Sequence, residues 1–277
     1  MHFHIKFTPV TQGIFQKISP FLFFFCNCLF LIFLPLPTFN CQTSALVWAQ
    51  TPGRKAEADL LLQEGMQQYR KNQFLEALQY WQQALTLYKE IKDPRSEGEV
   101  RHHMGTANLN LGNYAKAIEY EQQWLKIAQE TLKDRKAEAT ALGGLGVTYF
   151  YLGNFTEAIK YEQQWLTIAR DLKDQGGEGA ALGDLGTAYL ALNNYVEAME
   201  SEQQHLQIAR EMKDQDAEAV TLLNLGVIYS NKGEYTKAIE YEQQALMIAQ
   251  FRKKQGIEAK ALGALGITYL LFSRRLY

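Results

Sequence analysis

This sequence predicts an all-α chain folded as a right-handed α-solenoid of antiparallel helix pairs. Three observations carry the reading. A glycine inside an apolar patch recurs at Gly65, Gly105, Gly146, Gly186, Gly226 and Gly266, with spacings of 40, 41, 40, 40 and 40. An alanine follows twelve residues after each of the first five, at Ala77, Ala117, Ala158, Ala198 and Ala238. Between the two landmarks lies a turn, clearest as Leu111-Gly112-Asn113-Tyr114 and Leu152-Gly153-Asn154-Phe155. A block repeated at this period is a unit that buries its apolar face only by stacking on its neighbours.

The first 49 residues stand apart. Lys6 and Lys17 precede an almost wholly apolar run, residues 21–36, and small residues follow at Ser44-Ala45-Leu46-Val47-Trp48-Ala49. A positive flank, an apolar core and a small-residue site read as a secretory signal, cut before Gln50 or after Ala45. The other reading is a membrane anchor over 21–36, because about 17 apolar residues begin to suffice for a span. Export places the protein in the periplasm or outside the cell; an uncleaved leader ties it to a membrane. Cys26, Cys28 and Cys41 all lie in this leader, so its removal leaves no disulfide framework, thiolate metal site or cysteine nucleophile. His2 and His4 belong to the same segment and read as part of it. Residues 50–56 read as a linker.

The array occupies 57–277, with repeats at about 58–93, 98–134, 139–174, 179–214 and 219–254, then a half repeat at 257–277. The third block shows the logic. Ala141, Leu142, Leu145, Gly146, Tyr149 and Leu152 recur at helical spacing and mark one face of helix A. Gly153-Asn154 stops it, since glycine takes up the left-handed backbone of a C-terminal cap. Phe155, Ala158, Ile159, Tyr161, Leu166, Ile168 and Ala169 mark helix B, after a turn short enough to force an antiparallel hairpin. Gly146 and Ala158 lack bulk where the helices cross. Lys-Asp pairs at 92–93, 133–134, 173–174 and 213–214 join the blocks: the lysine suits a helix C-terminus, and the aspartate caps the next helix. Pro94 marks a break where one is wanted.

Leu145-Gly146, Tyr149, Phe155 and Ala158, repeated as Leu185-Gly186, Tyr189, Tyr195 and Ala198 and as Leu225-Gly226, Tyr229, Tyr235 and Ala238, resemble the tetratricopeptide repeat. The resemblance covers about residues 57–272. The family's common unit is about 34 residues. The longer unit here is similar to arrays in kinesin light chains, spindle-orientation adaptors and bacterial proteins with a caspase-like (CHAT) peptidase domain. Two helix-B positions depart from the family pattern. Its second small residue is Trp124, Trp165 and His205, with only Ala84 and Ala245 fitting, and the aromatic three residues earlier is Glu121, Glu162, Glu202 and Glu242. The first repeat, with Glu64 and Gln68 at family positions, reads as a cap.

The resemblance implies a concave groove lined by helices A that grips an extended or helical peptide. Carried over by position, it implies groove residues Glu99, His102, His103, Thr106 and Asn110 in the second repeat. The third repeat gives Thr140, Gly144, Val147 and Tyr151, the fourth Asp184, Thr187 and Leu190, and the fifth Asn224, Val227 and Asn231. Asn224 matches an asparagine that in related adaptors bonds a peptide backbone, while His103, Gly144 and Asp184 hold the equivalent places. Leu62, Met66, His103, Thr140 and Gly144 stand where a carboxylate clamp needs Lys and Asn, which argues against that clamp. The groove is expected to be small, apolar and mildly polar.

Other chemistry finds little support. The formal charge is −2, and the two leader lysines leave −4 on the remainder, so no basic face for nucleic acid is expected. His102 and His103 are about 100° apart on a helix, His205 is remote, and no metal site is expected. No phosphate-binding loop, dinucleotide fingerprint, nucleophile elbow or zinc-protease motif occurs, so neither cofactor nor catalysis is expected. The repeated Glu-Gln-Gln (121–123, 162–164, 202–204, 242–244) reads as a solvated outer face of helix B, or as a ladder for cations or basic peptides. Trp124 and Trp165 read as packing against the next repeat, or as an aromatic platform. The last block lacks a helix B, so Leu262, Leu265, Tyr269 and Phe272 are expected to expose apolar area. Truncation of a longer protein and self-association through the open end both fit. The expected function is a non-catalytic scaffold that binds a peptide or protein segment; the alternative is the sensor array of a multidomain effector such as a peptidase.

Overall fold

A computed structural model describes residues 41–276 of the chain. The apolar run 21–36, on which both leader readings turn, lies outside the described residues. Among the described residues there are eleven helices and no strand. They pair in chain order: α1 (Cys41–Arg70) with α2 (Phe74–Glu90), α3 (Pro94–Asn110) with α4 (Tyr114–Lys126), α5 (Arg135–Tyr151) with α6 (Phe155–Leu172), α7 (Gln175–Ala191) with α8 (Tyr195–Glu211), and α9 (Gln215–Asn231) with α10 (Tyr235–Phe251). α11 (Gln255–Leu276) packs on α10 and α9. From α2 on, each helix packs on the next in sequence, α1 meets α2 in the cluster of Ala58, Ala77 and Trp81, and successive helices A from α3 on also touch, as in a solenoid. Residues 50–56, expected as a linker, are helical instead and continue α1, with Pro52 inside it. No helix among the described residues is long and apolar enough to cross a membrane.

The turns close as the sequence requires. Asn72, Gly112, Gly153, Asn193 and Gly233 take the left-handed backbone inside the hairpins, with φ of 60, 74, 83, 60 and 77°. Lys92, Lys133, Lys173, Lys213 and Lys253 take it between repeats. The next N–H then reaches back across the last helical turn, as Asn154 N to Tyr149 O at 2.9 Å and Asp174 N to Ala169 O at 2.9 Å. This pattern satisfies carbonyls that a helix end leaves free. The aspartates cap as expected: Asp134 Oδ1 accepts from the Lys136 and Ala137 N–H groups at 2.9 and 3.1 Å, and Asp214 Oδ1 from Asp216 and Ala217 at 3.1 and 3.0 Å. Pro94 is the first residue of α3, where its missing N–H costs nothing.

The single spacing of 41 has a structural cause. α4 ends in a π-helical segment, Ile127–Leu132, and the closing bond from Asp134 N reaches Ala128 O, six residues back rather than five. One extra residue is absorbed as a bulge, the usual way a helix accommodates an insertion.

The core runs between the pairs. Leu142 and Leu145 of α5, Leu182 and Leu185 of α7, and Leu222 and Leu225 of α9 are buried, each worth roughly 1.5–3 kcal/mol relative to exposure. α11 differs. Leu262 stands where Leu142, Leu182 and Leu222 stand, yet it is 51% exposed, because no helix B follows α11 among the described residues. Ile267, Tyr269 and Leu270 are exposed too, whereas Leu265, expected to be exposed, is buried against the preceding pair.

Candidate functional site: the concave face and its buried glutamates

The landmark glycines mark where helix A meets helix B. A Cβ at Gly105 would lie 2.7 Å from Glu121 Oε1, at Gly186 2.6 Å from Glu202 Oε1, and at Gly226 2.5 Å from Glu242 Cγ. Gly146 stands equally hard against the Glu162 carboxylate. In the first repeat the same place is filled by the Trp81 indole over Gly65. The glutamates therefore point inward. Glu121, Glu162, Glu202 and Glu242 are 2, 1, 0 and 0% exposed, which overturns their reading as a solvated face; of the Glu-Gln-Gln triplets, only the glutamines reach the surface. The sequence held a signal for this. Glutamate follows the landmark glycine by 16 residues in four repeats, and Trp81 follows Gly65 by the same 16.

Each buried carboxyl needs a donor. His102 Nδ1 lies 2.9 and 3.1 Å from the two Glu121 oxygens. Burial lowers the His102 pKa, but the Glu121 hydrogen bond and charge outweigh it and the net shift is upward. His103, half-buried and beside His102, is pushed down to about 4 by desolvation and the neighbouring charge. Asn224 Nδ2 donates to Glu202 Oε1 at 2.8 Å, and Thr268 Oγ1 to Glu242 Oε1 at 2.9 Å. Glu162 has no partner on either oxygen. Burial and the Asp184 charge push it up to about 10. Asp184 is itself raised to about 6 by burial, with His205 opposing and Glu202 adding to the rise.

The groove positions cluster around two adjoining clefts. A cleft of about 430 Å³ spans α3, α5 and α7; His102, Thr106, Thr140, Val147 and Asp184 line it, with Gly143 and Gly144 as its floor and Trp165 as a wall. Tyr151, Asp184 and Thr187 line a second of about 180 Å³, beside Glu162. His102 and His103 also face a shallower hollow with Arg95, Glu99 and Asp134. His103 stacks on Trp81 at 5.5 Å between ring centroids. Asn110 Nδ2 donates to Tyr69 Oη at 2.8 Å. Asn224, Val227 and Asn231 line none of these three clefts, and Asn224 commits an amide hydrogen to Glu202. Trp124 is buried against Gly98 and the α5 alanines, as packing requires; Trp165 is half-buried, packing over Gly143 and lining the larger cleft. Glu121, Glu162 and Trp165 were not among the expected groove residues. Trp165 and Glu121 border the larger cleft because Gly143 and Gly144 leave no side chain over them, and Glu162 borders the smaller one beside Gly146.

The tetratricopeptide repeat model matches residues 56–130, 96–171 and 137–211 as overlapping repeat pairs, and a second model of that description matches 219–251. The chain belongs to the tetratricopeptide repeat family. No curated protein sequence matches it. Among solved structures it is similar to a signal transduction ATPase with a tetratricopeptide repeat sensor from Pyrococcus horikoshii, at 20% identity and TM-score 0.70 over 82% of this chain and 35% of that one. It thus spans about a third of that protein's length. It is similar to a Rap protein complexed with competence and sporulation factor, at 19% identity and TM-score 0.65 over 79% of this chain and 65% of that one. It is also similar to the nearly identical repeats of a putative kinesin light chain from Podospora anserina, at 18% identity and TM-score 0.61 over 72% of this chain and 98% of that one. At these identities the likeness is one of fold.

Proposed function

We propose that this tetratricopeptide repeat array is a non-catalytic scaffold that holds a peptide or protein segment along its concave face. The observation that carries the reading is the 430 Å³ cleft, floored by Gly143 and Gly144 and walled by Trp165, where the second repeat places His102 and His103. Small residues open room for a ligand, and an indole edge supplies apolar contact. The complex of a Rap protein with competence and sporulation factor supports it by fold alone. Thr140 is exposed at the cleft, so Thr140→Trp fills it without touching the core. Affinity capture from source-cell extract is expected to return a partner with the wild-type chain and lose it with Thr140→Trp. Equal capture by both moves the site off this face.

A second reading is a sensor array serving an effector domain. It draws support from the repeat sensor of the signal transduction ATPase and from the bare face of α11. Self-association through α11 is the other use of that face. Sedimentation distinguishes them: a concentration-dependent dimer lost with Leu262→Lys and Leu270→Lys supports self-association, and a monomer refutes it.

Export is part of the proposal. Pro52 sits mid-helix in α1, where proline costs about 3 kcal/mol. A cut before Gln50 would leave Pro52 in the first turn, where its missing N–H is no loss. N-terminal sequencing of the native protein tests it: Gln50 at the start supports cleavage, and an intact Met1 supports the anchor.

A further inference from the structure

Three of the four buried glutamates draw their donors from three repeat positions. His102 stands three residues before its own repeat's glycine, Asn224 two before the next repeat's glycine, and Thr268 two after it. The third repeat lacks all three. Around Glu162, Gly143 takes the place of His102, Ala188 that of Thr268, and Asp184 that of Asn224. Two donors are deleted and the third is replaced by a second acid. Glu162 is left 1% exposed with both oxygens unpartnered.

That arrangement is costly for the empty protein. The buried carboxyl also lies in the wall of a groove cleft. Glu162 and Asp184 share the 180 Å³ cleft with the Thr187 hydroxyl, and Val147, Phe150 and Ala188 give it apolar walls. Its volume is roughly six times the share of one liquid water. No basic residue lines it. The missing complement is a positive, multi-donor head on an apolar stem. Lysine and arginine side chains have this form, and a guanidinium can serve both oxygens of a carboxylate at once. A bare divalent cation fits less well, since it needs six or more oxygens and the walls are apolar.

We propose that the cleft between Glu162 and Asp184 is a pocket for the lysine or arginine side chain of the segment held in the groove. The proposal rests on the concave-face reading and names the ligand's chemistry. A mildly polar groove becomes one with a single acidic specificity pocket. Because Glu162 is protonated when the pocket is empty, the cation takes the proton's place. Binding then releases up to one proton to the buffer, leaving a carboxylate against the ligand's charge.

The full-length chain is titrated calorimetrically at pH 7.5 with acetyl-Ala-Ala-Arg-Ala-Ala-amide and with the same peptide carrying norleucine, in two buffers of different ionisation enthalpy. The arginine peptide is expected to bind more tightly by about tenfold or more and to release protons, and the norleucine peptide to release none. Glu162→Gln with Asp184→Asn is expected to abolish both the preference and the release. Equal binding of the two peptides, no saturable binding of the arginine peptide, or a preference that survives the double substitution each overturns the pocket. The native partner separates this failure from that of the groove. A partner lost with Thr140→Trp but held by the double variant sinks the pocket and keeps the groove. A partner held by both variants sinks both. Circular dichroism at 222 nm confirms that each variant is folded.

Discussion

Glu162→Gln should stabilise the protein, and by an amount that grows with pH. In the folded chain the Glu162 carboxyl is held protonated, its pKa raised from 4.5 to about 10 by burial and by Asp184. In the unfolded chain it ionises near 4.5. Between these values the unfolded state binds fewer protons than the folded one. Stability therefore falls as pH rises, by about 1.4 kcal/mol per unit. The loss is absent below pH 4.5 and reaches about 3 kcal/mol at pH 7. Glutamine keeps the neutral shape at every pH, so the variant escapes the penalty. Urea unfolding followed at 222 nm at pH 5, 7 and 9 measures the gap. The expected result is near-equality at pH 5, a gap of about 3 kcal/mol at pH 7 and a wider one at pH 9. A gap independent of pH would refute the reasoning, because it would mean that Glu162 is ionised in the fold or open to water. A destabilised variant at pH 7 would refute it too.

Other expectations follow from the same geometry. His102 should titrate above 6.5 by NMR, and Glu121→Gln should drop it below 6.5, since only burial then acts; the stability that His102 contributes is full below 6.5 and fades as pH rises through its folded value. Gly146→Ala and Gly266→Ala alter the same repeat position with opposite outcomes. At Gly146 the methyl meets the Glu162 carboxyl and should cost about 1–3 kcal/mol; at Gly266 it meets nothing within 4 Å and should stabilise the helix by up to about 1 kcal/mol in thermal melts. Deleting Thr131 from the π-helical segment should restore a regular helix and leave the Tm within roughly 3 °C, whereas deleting Thr167 from α6, which has no spare residue, should lower it by more than about 5 °C.

Much of the fold was legible because a repeat states its message several times. Gly146 and Ala158 alone would not establish a helical hairpin; the same pair in five blocks does. The Lys-Asp joints announced their caps because capping is local chemistry between residues two or three apart. Of the groove positions that the resemblance implies, His102, Thr106, Tyr151, Asp184 and Thr187 line the clefts described, while Asn224 turns to Glu202. The helix-B glutamates misled for a physical reason. Charge predicts exposure on average, and the constant 16-residue offset from glycine to glutamate takes on its meaning across two helices, where the glycine makes room for the carboxyl.

The sequence by itself determined the periodic architecture: helix pairs, short turns and caps. These depend on contacts within a turn or on the repetition of one unit, and both are written along the chain. The tertiary structure decided which acids are buried, which of them have donors, and where Gly143 and Gly144 open the wall between repeats. Those outcomes depend on residues about 20 to 40 positions apart meeting across a helix interface, such as Glu162 with Asp184 and Glu202 with Asn224. Their desolvation exists only once the helices have packed.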